Sequence, residues 1–231
     1  MTWRPAERTT VAKQIYAAAE KDRADRPERY RLDVAAITER AETRCSSELF
    51  APGWQTGLDA FLGSAAEEAR LNAVGIRMAA QSAVGRLTAG AAIAGYRRDH
   101  PEAASATLAP PIVIIGGWRT GTTFLFRLLG TDPRLHAPLP AELVSPWVFA
   151  DGSGPEKRTG TAAATELLHT LNPQMAHVHP SGPTLPEECV LGMGTDLRNW
   201  GFTSMMRLPS YADWLADQDF TAPYLRYREA L

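Results

Sequence analysis

A run of β-branched residues, Ile112-Val113-Ile114-Ile115, stops at Gly116-Gly117 and gives way at Thr122 to a helix-like stretch reaching Leu129. Strand, glycine loop and helix start is the arrangement that most restricts what this chain can become. A short, wholly apolar run reads as a strand buried on both faces, which belongs in a parallel sheet covered by helices. Phe124, Leu125, Leu128 and Leu129 follow helical spacing, and Gly130 and Pro133 close the helix. A loop of this kind aims several backbone N–H groups into one concavity, where the helix N-terminus adds about half a positive charge. Glycine serves where the backbone turns sharply or must approach an anion closely. The hydroxyls of Thr120, Thr122 and Thr123 can donate to phosphate oxygens, and Arg119 is the nearest cation.

Gly116 and Gly121 have the G-x-x-x-x-G spacing of a nucleoside-triphosphate loop, but Thr122 stands where that loop has its lysine. Without a lysine to reach the terminal phosphates, a Mg²⁺-dependent kinase or NTPase is a distant reading, and ATP binding would discriminate it. What remains is a phosphate cradle whose cation lies on a different edge. The plainer alternative is a glycine turn needed only for strand–helix packing.

Residues 1–105 read as a helical N-terminal region. Val34, Ile37, Ala41 and Cys45 form one apolar stripe, and Leu71, Val74 and Met78 form another. Between Ala79 and Gly95 the chain is rich in small residues, including Gly85, Gly90 and Gly95, which suits a helix packed closely on its neighbours. Arg97 to Pro101 ends that region, and Pro110-Pro111 leads into the strand. Residues 106–231 follow as a second unit of loops and helices. Thr184 and Glu187 have capping-box spacing, Ser210 and Asp213 imitate it, and Thr221-Ala222-Pro223 opens a last helix. Short strands near Leu135-His136-Ala137 and Met175-Ala176-His177-Val178 would help to cover the first.

The charge balance, 24 Lys+Arg against 26 Asp+Glu, is even and is not segregated, so nucleic acid is not an expected partner. With 45% hydrophobic residues the chain is not disordered. Cys45 and Cys189 offer neither a disulfide scaffold nor metal-ligand spacing, and both are expected to be buried thiols. There is no signal-peptide pattern and no apolar run near the roughly 20 residues a spanning helix needs, so a cytoplasmic location is expected.

Arg119-Thr120-Gly121-Thr122-Thr123 after an Ile/Val strand resembles the 5′-phosphosulfate loop of sulfotransferases, whose core is Lys/Arg-Ser/Thr-Gly-Thr-Thr. Leu71-Asn72-Ala73-Val74-Gly75 and His100-Pro101-Glu102 upstream are similar to a bacterial branch of that family. So are Arg127-Leu128-Leu129, Asp132-Pro133, His179-Pro180 and Pro186-Glu187-Glu188-Cys189 downstream. The resemblance implies an α/β fold, with the helical N-terminal region leading into a P-loop-like parallel sheet flanked by helices. It implies sulfuryl transfer from the co-substrate 3′-phosphoadenosine 5′-phosphosulfate (PAPS) to a hydroxyl or amine, with no metal. Arg119 would neutralise charge on the bridging oxygen, and Thr120, Gly121, Thr122 and Thr123 would hold the 5′-phosphosulfate. The acceptor would be a small molecule, with a hydroxylated lipid, a phenol and a glycan all compatible.

Attack requires a base within hydrogen-bond reach of the acceptor. His179, in a His-Pro-Ser-Gly-Pro segment, is one candidate, and a structural loop histidine is its plain alternative. Glu142 lies where some family branches keep a functional glutamate, although a solvated or Arg-paired carboxylate explains it too. Glu187 is the third, and its capping-box spacing accounts for it without catalysis. His177 is placed in the structural class, and Trp147, Trp200 and Trp214 are more readily core residues than pocket walls.

The family pattern normally continues with a Lys-Ser-Pro-like turn and an Arg and Ser that grip the 3′-phosphate, and none follows here. The chain therefore reads as the front part of such a domain, mostly helical in itself. Uncovered sheet edges would invite a homodimer or a complementing polypeptide. The competing reading is a non-catalytic interaction module of sulfotransferase descent, or one piece of a split enzyme, against which the retention of residues 119–123 argues. On this expectation the isolated chain binds PAPS weakly and turns over slowly or not at all.

Overall fold

The computed structural model describes residues 7–105, 107–117, 120–150 and 162–231. The first half is helical, as the apolar stripes require: α1 (Thr10–Asp25), α2 (Val34–Glu42), α3 (Trp54–Glu67) and α4 (Ala73–Asp99). Three of these starts carry side-chain caps. Thr9 accepts from the Ala12 N–H, Asp33 from Ala36 and Asn72 from Gly75, each satisfying a donor that a helix start leaves open. Further helices follow: α5 (Thr122–Leu129), α6 (Pro140–Val144), α7 (Ala162–Leu171), α8 (Met175–Val178), α9 (Gly201–Met205), α10 (Pro209–Ala216) and α11 (Thr221–Ala230).

One core joins the two halves. Ile37, Leu58, Phe61, Leu62 and Leu87 are buried against Leu197, Phe202, Tyr211 and Leu215. The Phe61 ring lies 4.5 Å from that of Phe202 and 5.7 Å, edge-on, from that of Tyr211, within the range of favourable aromatic pairs. The long helix α4 contributes Ala79, Ala80, Ala83, Val84 and Ala91 to the same core. At Gly90 a methyl group would sit 3.1 Å from Thr195 Cβ, so close packing does explain that glycine. Gly85 and Gly95 face open space, so close packing does not explain them.

Residues 190–199 form a tight polar knot that fastens the later helices to α3 and α4. Gly194 (φ +80°) and Leu197 (φ +65°) turn the chain through the left-handed region. The Asn199 amide donates to the carbonyls of Val190 (2.9 Å) and Met193 (3.0 Å). The Tyr211 hydroxyl accepts from the Asn199 N–H at 3.1 Å and donates to the Leu197 carbonyl. Asp196, fully buried, accepts from Arg198 at 2.8 Å and from Arg226 of α11. Helix α3 comes so near that a Cβ on Gly57 would lie 2.1 Å from the Asp196 carbonyl oxygen. From α4, Arg86 donates to the carbonyls of Leu191 and Met193. Burial pushes its pKa down to about 10, which leaves it a cation at neutral pH.

Several expectations are corrected here. No strand forms among the described residues, and 112–115, expected as a buried strand, run without one. Ile112, Val113 and Ile115 are exposed, Ile115 by 90%. A strand needs a neighbour to take its N–H and C=O groups, and no described segment supplies one. Residues 135–137 form no bridge, and 175–178 are helical. Thr184 starts no helix; a 3₁₀ turn begins only at Cys189. Helix α10 begins at Pro209, one residue before the proposed Ser210 cap. Cys189 is exposed rather than buried, while Cys45 is partly buried. Trp214 stacks on Tyr211 at 5.7 Å, as a core residue should, but Trp200 is exposed.

Removing the Asp196 carboxylate strands two arginines in the knot. Asp196→Ala is expected to cost about 3–5 kcal/mol, the range for breaking a buried ion pair from one side. Urea unfolding followed by circular dichroism measures it, and a loss below about 1 kcal/mol would show that the knot does not bear on stability.

Candidate active site

The glycine loop wraps on itself. The Thr120 hydroxyl donates to the Gly117 carbonyl at 2.6 Å. A Cβ on Gly116 would lie 2.7 Å from Thr122 Cγ2 and 2.8 Å from Thr120 Oγ1, so only glycine leaves this turn undisturbed. Gly121, at φ +89°, precedes α5 in the left-handed region, where glycine carries no Cβ penalty. The first helical bond runs from Leu125 N–H to the Gly121 carbonyl at 3.0 Å. The N–H groups of Thr122, Thr123 and Phe124 are thus the ones a helix start leaves for an outside acceptor. Arg119 and Trp118 lie outside the described residues.

From α5 a ring of contacts leads to the histidine arm. Thr123 and Arg127 are four residues apart and share one helix face. Thr123 donates to Glu188 at 3.3 Å, and Arg127 donates to the Pro180 carbonyl. Between these two anchors, His179 Nε2 faces both carboxylate oxygens of Glu187, each at 3.3 Å. The Glu187 side chain is 8% exposed and that of His179 is 37% exposed. The Glu187 backbone N–H donates to the Pro138 carbonyl at 3.0 Å, which ties the arm to the segment before α6.

The structure therefore brings His179, Glu187, Glu188 and the start of α5 together. Glu142 is engaged elsewhere: it accepts from the Leu139 N–H at 2.8 Å as the cap of α6 and pairs with His136 at 3.2 Å. Sequence reasoning missed Glu188 and Arg127 as partners of the arm. The four-residue spacing of Thr123 and Arg127 was the available signal. Glu187 is buried for an ion pair, not for a helix cap, because the helix that its capping-box spacing called for does not form. A cavity of about 680 Å³ between α1, α4 and α7, lined by residues including Asp22, Tyr30, Arg77 and Leu167, contains none of the loop or arm residues.

A model described as the sulfotransferase family matches residues 110–230, which is more than half of the chain and includes both the loop and the arm. The chain belongs to the sulfotransferase family. Its fold is that of solved sulfotransferases. It matches sulfotransferase STF1 of Mycobacterium tuberculosis H37Rv with a TM-score of 0.70 and 26% identity, over 86% of this chain and 56% of that one. It matches sulfotransferase STF9 of Mycobacterium avium with a TM-score of 0.69 and 20% identity, over 87% of this chain and 54% of that one. The chain thus spans just over half the length of these structures. No curated protein matches it. No helix among the described residues is long and apolar enough to cross a membrane.

The electrostatics of the arm have a measurable consequence. The Glu187 hydrogen bond holds the His179 imidazolium above its ordinary range, opposed by partial burial; Glu187 and Glu188 charges add to it, and Arg127 subtracts. A histidine whose folded pKa is raised stabilises the fold fully below its unfolded value, about 6.5. That contribution is lost as pH climbs through the folded value. Urea unfolding at a series of pH values should show this fall above about pH 6.5, and His179→Gln should flatten it. An identical profile in the variant would contradict the pairing.

Proposed function

We propose that this chain transfers a sulfuryl group from PAPS to a hydroxyl or amine of a small acceptor. The reading is carried by one observation: the side-chain ring on α5 joins a glycine loop with open N–H donors to a histidine held by a buried carboxylate. The loop's shape fits an anion, since Gly116 and Gly121 keep the turn free of Cβ atoms. In this reading the N–H groups of Thr122, Thr123 and Phe124 donate to the 5′-phosphosulfate. The hydroxyls of Thr120 and Thr123 serve instead to shape the loop and fasten it to Glu188.

Arg119 supplies the positive charge at the bridging oxygen, the group whose charge grows as its bond to sulfur breaks. His179 takes the proton as the acceptor oxygen or nitrogen bonds to sulfur, and adenosine 3′,5′-bisphosphate leaves. Glu142, spent on its helix cap, is given no part in this step. Hydroxylated lipids, phenols and glycans are the acceptor classes we propose, without a metal ion. Both cysteines are free thiols, which accords with a reducing compartment, and we place the chain in the cytoplasm.

Calorimetric titration with adenosine 3′,5′-bisphosphate tests the proposal. Saturable binding is expected, weakened at least about 10-fold by Arg119→Ala, the loss of one charge-assisted contact. Gly116→Ala should weaken it comparably by opening the loop. Binding that neither substitution changes, or no binding by a chain that unfolds cooperatively, would overturn the assignment of the loop.

A further inference from the structure

The arm holds two acidic neighbours, Glu187 and Glu188, and their surroundings divide their tasks. Glu188 is exposed and accepts from Thr123 on α5. Glu187 is buried and turns both oxygens on one nitrogen of His179. An ionised carboxylate can only accept, so the nitrogen it faces must carry the hydrogen. In neutral His179 the proton therefore sits on Nε2, and the lone pair falls on Nδ1.

The backbone on either side is fixed independently of that bond. Pro180, next to the histidine, has its carbonyl held by Arg127; the Glu187 N–H is held by Pro138; Pro186 restricts the chain just before it. Carboxylate and imidazole are thus brought together by contacts other than their own, which is what pre-organisation of a reactive group requires. The groups facing His179 are Glu187 and Glu188 from its own arm and Arg127 from α5.

We propose that Glu187 is the positioning residue of this site: its buried carboxylate fixes the tautomer and orientation of His179 so that Nδ1 receives the acceptor's proton. The assignment rests on the sulfuryl-transfer reading for its use, but the tautomer itself does not. Glu187 neither touches the acceptor nor moves a proton. Glu187→Gln should leave nucleotide affinity unchanged and lower kcat at least about 10-fold, by misplacing a base whose contribution is typically 10²–10⁴-fold. With the carboxylate gone, the acid limb of the pH–rate profile should move to lower pH.

Imidazole ¹⁵N spectra of the whole chain decide the matter without turnover, with the His179 signal assigned by its absence in His179→Gln. The expected result is an Nε2–H tautomer in the wild type and a lower His179 titration midpoint in Glu187→Gln. In the double variant, kcat should be no lower than in His179→Gln alone, since Glu187 acts through that ring. An Nδ1–H tautomer, an unmoved midpoint, or additive losses in the double variant would overturn the proposal. A locked Nε2–H tautomer in a chain that transfers no sulfuryl group would uphold the positioning role and remove the reaction assigned to the site.

Discussion

A carboxylate with no exposed surface survives in a protein only when cations and donors surround it, and Asp196 sets that requirement for this fold. Meeting it draws in Arg198 from its own turn and Arg226 from α11. The turn itself depends on a left-handed Leu197 that is fully buried among α3, α4, α9 and α10. Helix α3 can approach only because residue 57 is glycine, and α4 reaches over with Arg86 to hold two carbonyls of the same knot. The later helices are thereby fixed on the earlier ones before any question of chemistry arises.

The site uses smaller means. A single short helix, α5, carries the loop at its start and anchors the arm along one face. Thr123 and Arg127 lie one turn apart, and their two hydrogen bonds bracket the His179–Glu187 pair. The family match spans loop and arm together, which agrees with their being one unit. The apolar surface near them, Ile112, Val113 and Ile115 with Phe124 and Leu128, is exposed in this structure.

Much of this was legible in the residues. The bounds of α5 follow from Gly121, the apolar spacing after it and Gly130, and the left-handed turn before α5 falls on glycine, the residue that carries no Cβ penalty there. The apolar stripes of α2 and α4 name their buried faces. Other features were not legible, for physical reasons. An Ile/Val run states that it would be buried in a sheet, but not whether a neighbouring strand is at hand. Thr184 and Glu187 satisfy a capping rule that counts spacing and ignores tertiary competition; a carboxylate that finds a histidine and a carbonyl that finds Glu187's N–H outweigh one cap. Asp196 and Arg226 are 30 residues apart, and no local pattern joins them.

Hydrogen–deuterium exchange of the chain, with and without adenosine 3′,5′-bisphosphate, tests most directly the claim that loop and arm act as one unit. If they do, the nucleotide should slow exchange in residues 120–127 and, through Thr123 and Arg127, in residues 179–188 as well. Protection confined to the loop, with the arm exchanging as before, would contradict the account.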